Sequence, residues 1–278
     1  MIGAIIGDVV GSVYETLEYN SKEEKRSYED RMKIMDINTP LFLSDSIVTD
    51  DSVLTVAVID AIINSKKYDD KLKEYAIREI NEGRNRFGSG FLRWINGENK
   101  IPSIGNGCAM RISPVGFLFN DLDTIKEESR KVTITSHNND DCIKCAEAVA
   151  VSIYLLRKGK SKEELRKYIE DYYFKLDYDL EDLRHNYTFE VSAIKSVPQA
   201  IYCFLESNSF EDCIRKSLSI GGDSDTIACI SGSLSEAYYG VPNEMIEKLE
   251  PYLLDYMKPI LNKVYGGIYG RNSKDIKK

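Results

Sequence analysis

An all-α fold is what this sequence predicts, on three observations. Apolar residues recur at i, i+3 and i+4 through most of the chain, strand-like alternation is scarce, and helix boundaries carry residues whose chemistry suits them. In chain order, GAIIGDVVGSVYE (residues 3–15) comes first, with Gly3, Gly7 and Gly11 making a bare helical stripe that another backbone can approach closely. A helical glycine costs about 1 kcal/mol against alanine, so three in register indicate a packing demand. DDSVLTVAVIDAII (50–63) follows, starting at Asp50, and then YDDKLKEYAIREINEG (68–83), whose Gly83 suits a helix end. DDCIKCAEAVAVSIYLL (140–156) has Gly159 beyond it, and SKEELRKYIEDYYF (161–174) opens on a capping Ser161. VSAIKSVPQAIYCFLE (191–206) precedes SDTIACISGSLSEAYY (224–239), which starts at Asp223 or Ser224 and stops at Gly240. NEMIEKLEPYLLDYMKPILNKVY (243–265) reads as a last helical stretch beginning at Asn243. The polar, weakly periodic stretches from Ser21 to Leu43 and from Leu176 to Tyr187 read as surface loops, with a mobile tail from Asn272.

No linker, repeat or low-complexity tract demands a boundary, so one domain is expected over residues 1–278. Hydrophobic residues at 42% suffice for a packed core, and a net charge of -8 argues against nucleic acid as a stable partner. The N-terminal apolar stretch is interrupted by Asp8, lacks a basic leader and falls short of the ~20 residues a membrane span needs. A cytoplasmic protein is expected. Six dispersed cysteines read as reduced thiols; Cys142 and Cys145 have zinc spacing, but no second close pair completes a tetrahedron and i, i+3 also suits one helix face.

Two acidic pairs stand at the starts of apolar helices: Asp50 and Asp51 after Thr49, and Asp223 and Asp225 after two glycines, followed by Thr226. Each alone reads as capping, since such side chains accept from free N–H groups and suit the positive end of the helix dipole. The second helix, however, is rich enough in small and apolar residues to run through the core, which would place its acidic start in a cleft. Like charges ~4 Å apart repel by about 4 kcal/mol at an effective dielectric near 20, so converging pairs would need cations. Oxygen-only ligands favour Mg2+, with Mn2+ or Ca2+ as alternatives, over zinc. Asp8 and Glu15, beside the glycine stripe, read either as solvent-facing charges or as members of such a site.

RFGSGFLRW (86–94) and PSIGNGCAMRISPVG (102–116) are turn-forming segments in which Gly88, Gly90, Gly105 and Gly107 would let the main chain approach a phosphate. Neither is a dinucleotide or P-loop fingerprint. His137 reads as a ligand contact or a cap for the following helix, and His185 as surface; with two histidines, no Ser-His-Asp triad has supporting spacing.

The ordered set GAIIGDVVGSVYE, VTDDS, FGSGF, GNGCAMRISPVG, TSHN and GGDSDTIACISGSLSEAYYG resembles the ADP-ribosylglycohydrolases across nearly the whole chain. That resemblance implies a compact, orthogonal multi-helix bundle acting as a monomer, which cleaves ADP-ribose from modified side chains or related compounds with two Mg2+ ions. It implies Thr49, Asp50, Asp51, Asp223, Asp225 and Thr226 as metal ligands, Asp225 bridging, and Glu15, Asp50, Asp51 and Asp225 as catalytic. By the same resemblance Gly88, Gly90, Ser103, Gly105 and Asn106 wrap the diphosphate and distal ribose, with Met110 and His137 nearby. Ile104 departs from relatives that place an aromatic before GNG, so Phe87, Phe91 or Phe117 is expected to hold the adenine instead. A catalytically silent ADP-ribose binder and a Mg2+-dependent nucleotide phosphohydrolase are the two readings from other classes.

Overall fold

The structure, a computed structural model, describes residues 1–20, 27–98 and 103–266, with the backbone alone for residues 16–20. Its helices are α1 (Ile2–Asn20), α2 (Tyr28–Lys33), α3 (Asp50–Ile63), α4 (Tyr68–Asn81), α5 (Ser89–Ile95), α6 (Gly107–Met110), α7 (Ser113–Leu118) and α8 (Leu122–Ile134). They continue as α9 (Asp140–Arg157), α10 (Lys162–Tyr172), α11 (Leu180–Asn186), α12 (Ala193–Leu205), α13 (Phe210–Ser219), α14 (Ser224–Tyr239), α15 (Asn243–Leu249) and α16 (Met257–Tyr265). Among the described residues there is no strand, only an isolated antiparallel bridge between Gly105 and Ser192. The all-α expectation holds.

α14 is the central element, buried from Ser224 to Ala237, because its small residues let neighbouring helices close in on every side. α1 crosses it at backbone distance. A Cβ added to Gly7 would lie 2.0 Å from the Ala228 carbonyl oxygen, one on Gly11 2.4 Å from Asp225 Cα, and one on Gly3 2.3 Å from the Gly232 oxygen. The stripe seen in the sequence is therefore a groove for α14. α9, α12 and α13 pack around the rest of α14, and α3 lies against α1 and α4. The six cysteines are buried and free; Cys142 and Cys145 face the core, and no histidine or cysteine belongs to a potential metal-binding group among the described residues.

Three local expectations need correction. The stretch from Leu176 to Tyr187 contains α11, whose cap Asp179 accepts from the Asp182 N–H at 2.9 Å; seven residues are too few to display a period. Residues 243–265 are not one helix. A 3₁₀ turn at Glu250–Tyr252 carries Pro251, Leu253 turns extended, and α16 starts afresh at Met257, since proline removes the N–H that would continue the ladder. Finally, the region from Ser21 to Leu43 holds α2, and its later turns are pinned by Arg215, which donates to the carbonyls of Ile34, Asp36, Ile37 and Thr39. Residues 21–26 and the tail from Asn272 lie outside the described residues. No described helix is long and apolar enough to cross a membrane.

The α1–α14 contact is directly testable. Gly7→Ala is expected to destabilise the chain by at least about 2 kcal/mol in urea titrations, because the new methyl meets backbone rather than a movable side chain. Gly88→Ala, at a site with nothing within 4 Å, is expected to stay within about 0.5 kcal/mol of the parent.

A carboxylate-lined candidate active site

The crossing of α1 over α14 places two α1 carboxylates at the start of α14. Gly11 presses on the backbone of Asp225, so Asp8 and Glu15, seven residues apart on one face, are turned toward it. The solvent-facing reading fails for Asp8 and holds only in part for Glu15. Asp8 is fully buried, and Glu15 is partly exposed at the rim. Asp8 accepts from the N–H and hydroxyl of Thr49, at 3.1 and 2.6 Å, and from the N–H of Ser52 at 3.1 Å and the Ser52 hydroxyl. It thus caps α3 from a different helix. With four donors already directed at it, Asp8 is better described as the clamp joining α1 to α3 than as an open ligand.

The capping explanation of the two acidic pairs is met only in part. Thr49 is the cap of α3, accepting from the Asp51 N–H at 3.3 Å. Asp223 occupies the cap position of α14 without making a side-chain cap bond; its carboxylate accepts instead from Asn106 Nδ2 at 2.6 Å. Asp51 accepts weakly from the Thr226 hydroxyl at 3.3 Å, and its other oxygen, Oδ1, is buried with no hydrogen-bond partner. Asp225 accepts from its neighbour's N–H, Thr226, at 2.9 Å, and the Thr49 hydroxyl lies 3.4 Å from its other oxygen.

Carboxylate oxygens of Asp8, Asp51 and Asp225 lie within 4.8 Å of one another, and so do those of Glu15, Asp223 and Asp225. Asp225 is common to both groups. Burial, with the neighbouring carboxylates, pushes Asp50, Asp51 and Asp225 well above the ordinary range. Burial raises Asp223 as well, and lifts Asp8 to about 6 against its four donors. Glu15 is raised to about 7 by burial and by Asp223 and Asp8, with Arg86 opposing. Asp50 shares this field although it belongs to neither tight group. An orphaned oxygen on Asp51 and a donor set made only of oxygens suit a hard divalent cation.

The glycine segments border this cluster. Asn106 ties the Gly105–Gly107 turn to Asp223, while main-chain bonds from Asn106 N to Val191 O at 2.8 Å and from Ala193 N to Ile104 O at 3.0 Å hold the turn. Ser103 accepts from Gly105 N–H at 3.2 Å, and Gly90 abuts the Ser103 side chain. Gly88 opens α5 into free space. Met110 is buried, its carbonyl accepting from Thr55 and Cys229. His137 is buried beside Gly107, and burial together with Arg111 holds its imidazole well below the usual range. It does not cap α9; Asn139 does, accepting from the N–H groups of Asp141 and Cys142.

The adenine expectation does not fit the aromatic positions. Phe117 lies in the core at 1% exposure, and Phe87 and Phe91 are stacked on each other and buried at 6% each. The exposed apolar side chains beside the turn are Ile104 and Val191, at 63% and 50%. Asp8 was weighed in the sequence without a role assigned to it, signalled only by its isolation in an apolar helix, and two further residues escaped notice. Tyr187 lies against Gly222, where a Cβ would come 2.4 Å from its ring, and Arg111 is buried without a carboxylate partner among the described residues; neither had a local signal.

Over residues 1–273 the chain matches the sequence model of a family described as ADP-ribosylglycohydrolase. Among curated relatives, ADP-ribosylhydrolase ARH3 of Mus musculus is 24% identical, the match covering 87% of this chain and 83% of the relative. The Homo sapiens protein of that name is 23% identical, over 95% and 92%. ADP-ribosylarginine hydrolase Tri1 of Pseudomonas putida (strain GB-1) is 24% identical, over 90% and 72%. A solved structure described as an ADP-ribosylglycohydrolase-related protein complex superposes with a TM-score of 0.69 at 19% identity, covering 96% of this chain and 94% of that one, which is a likeness of fold.

The carboxylate cluster makes stability depend on pH in a definite direction. With no cation bound, these groups hold protons more tightly folded than unfolded, so their contribution is greatest below the ordinary carboxylate value near 4. It declines as pH rises from there through about 6 for Asp8 and about 7 for Glu15. In chelator, Tm is expected to fall between roughly pH 5 and pH 8, and added Mg2+ to raise it more at the upper end. Asp225→Asn is expected to flatten both trends in thermal melts followed by circular dichroism.

Proposed function

The chain belongs to the ADP-ribosylglycohydrolase family, and from that premise we propose that it hydrolyses the glycosidic bond joining ADP-ribose to an acceptor, a modified protein side chain or a related compound. The observation that carries this reading is the gathering of acids from α1, α3 and α14 into two groups that share Asp225. The relatives' names, which specify ADP-ribosyl and ADP-ribosylarginine hydrolysis, support the substrate class. Six buried free cysteines and the acidic composition fit a cytoplasmic enzyme without a nucleic-acid partner, and a monomer suffices because the acids come from one chain.

Thr49, Asp50, Asp51, Asp223, Asp225 and Thr226 would hold two Mg2+ ions, which when bound supply Lewis acidity and the positive charge that this cluster lacks. The chain's own groups do the rest. Glu15, on the rim of the cluster and raised to about 7, holds a proton near neutrality that it can give to the departing oxygen or nitrogen. Once deprotonated, its carboxylate faces the oxocarbenium-like charge at the anomeric carbon and takes the proton of the water that adds there, which restores the acid. Gly88 opens into free space where the diphosphate would lie, Gly90 and Gly105 let Ser103 sit close against the main chain, Ser103 holds the turn, and Asn106 fixes Asp223 relative to it. Met110 and His137 back the turn from beneath, so bound ligand meets a surface already in place.

A panel of ADP-ribosylated acceptors incubated with the protein and Mg2+ tests the proposal, with free ADP-ribose as the expected product. Released phosphate would mean a phosphohydrolase, and binding without turnover an ADP-ribose reader. Asp51→Asn and Asp225→Asn are each expected to lower turnover on the order of 10³-fold or more. Glu15→Gln is expected to lower kcat by roughly 10²- to 10⁴-fold with little change in ADP-ribose affinity measured by calorimetry.

A further inference from the structure

Arg111, at the end of α6, is fully buried and has no carboxylate partner among the described residues. One of its nitrogens, Nη2, donates to Ser136 Oγ at 2.8 Å, and that oxygen lies 2.8 Å from Nδ1 of His137. A guanidinium can only donate, so Ser136 Oγ accepts from it. The serine hydroxyl then has one proton to place, and His137 Nδ1 is its sole acceptor within reach among the described residues. Backbone bonds from His137 N to Thr133 O at 2.9 Å and from Asn139 N to His137 O at 2.8 Å fix the ring's attachment on both sides.

We propose that Arg111 and Ser136 are positioning residues that lock His137 in the tautomer protonated on Nε2, so that it presents an N–H donor at the Gly105–Gly107 turn to an acceptor oxygen of the bound ligand. Nε2 has no partner among the described residues although the residue is 3% exposed, and it faces the turn: a Cβ on Gly107 would lie 3.3 Å from it and one on Gly105 3.9 Å. Glycine at these positions leaves the space in front of the donor open. Burial and the nearby guanidinium disfavour the doubly protonated ring, so the donor is a neutral imidazole whose polarity is dictated from behind. The turn it serves also carries Asn106, which holds Asp223; ligand-anchoring and acid-bearing parts therefore share one short segment. The identity of the ligand rests on the function proposed above, while the tautomer does not.

The test uses two readouts. The chain has two histidines, so with ¹⁵N-labelled histidine the nitrogen spectrum of the ligand-free protein separates buried His137 from exposed His185. An unprotonated Nδ1 and a protonated Nε2 are expected at His137; a protonated Nδ1 would overturn the proposal. Ser136→Ala is expected to lose the fixed tautomer and to weaken ADP-ribose binding about tenfold, the loss of one hydrogen bond to a charged or polar oxygen. Ser136→Thr, which keeps the hydroxyl, is expected to restore both, and Arg111→Lys to retain them in part. Unchanged tautomer and affinity in Ser136→Ala would overturn the relay. Failure of the unaltered chain to bind ADP-ribose would instead overturn the functional reading and the ligand contact, a result distinct from a wrong tautomer in a chain that does bind.

Discussion

The close approach of two backbones, α1 and α14, is the constraint on which the rest of this molecule depends. The helices are more than two hundred residues apart in sequence, and they meet where Gly3, Gly7 and Gly11 offer no side chain. Any Cβ there would push them apart, and the first casualty would be the acid cluster, because Asp8 and Glu15 reach Asp225 only across that contact. Packing and chemistry therefore share one set of residues. This explains why a helix would accept three glycines despite their intrinsic penalty of about 1 kcal/mol each.

Opposing this is electrostatic repulsion. Six acidic side chains, from α1, α3 and α14, face a region from which water is largely excluded, and all six have their protonation shifted upward. Such an arrangement persists only because the surrounding apolar core overdetermines it. Asp8 eases part of the strain by accepting from Thr49 and Ser52 at the head of α3, where the free N–H groups and the helix dipole favour negative charge. The oxygen of Asp51 left without a partner is the part that the protein itself does not satisfy.

Much of this was legible in the sequence, for local reasons. TDD and GGDSDT are short, and their position at helix starts follows from capping chemistry; α3 and α14 begin and end where the periodicity indicated. The glycine stripe announced a close contact without naming its partner. What stayed hidden depends on non-local packing. Asp8 could not be told from a surface charge because its donors lie some forty residues away on α3. The burial of Phe117 is likewise set by packing against α9, distant in sequence, although the pairing of Phe87 with Phe91 is local. The role of Asn106 depends on an aspartate more than a hundred positions later. Secondary structure failed for smaller reasons: α11 is too short to show a period, and the last helical stretch was interrupted by a proline whose effect the apolar pattern masked.

The bridge between Gly105 and Ser192 has one more consequence. The turn beside the acids is tethered by main-chain atoms of Ile104, Asn106, Val191 and Ala193, which any amino acid other than proline can supply. The Ile104 and Val191 side chains project outward and bear none of that load. Scaffold and contact surface are thus uncoupled at these two positions: their side chains can drift in size and polarity while the register beneath them stays put. Divergence in what the rim tolerates would then require no rebuilding of the interior, and such exchangeable positions are where descendants of one ancestor can part ways at little thermodynamic risk.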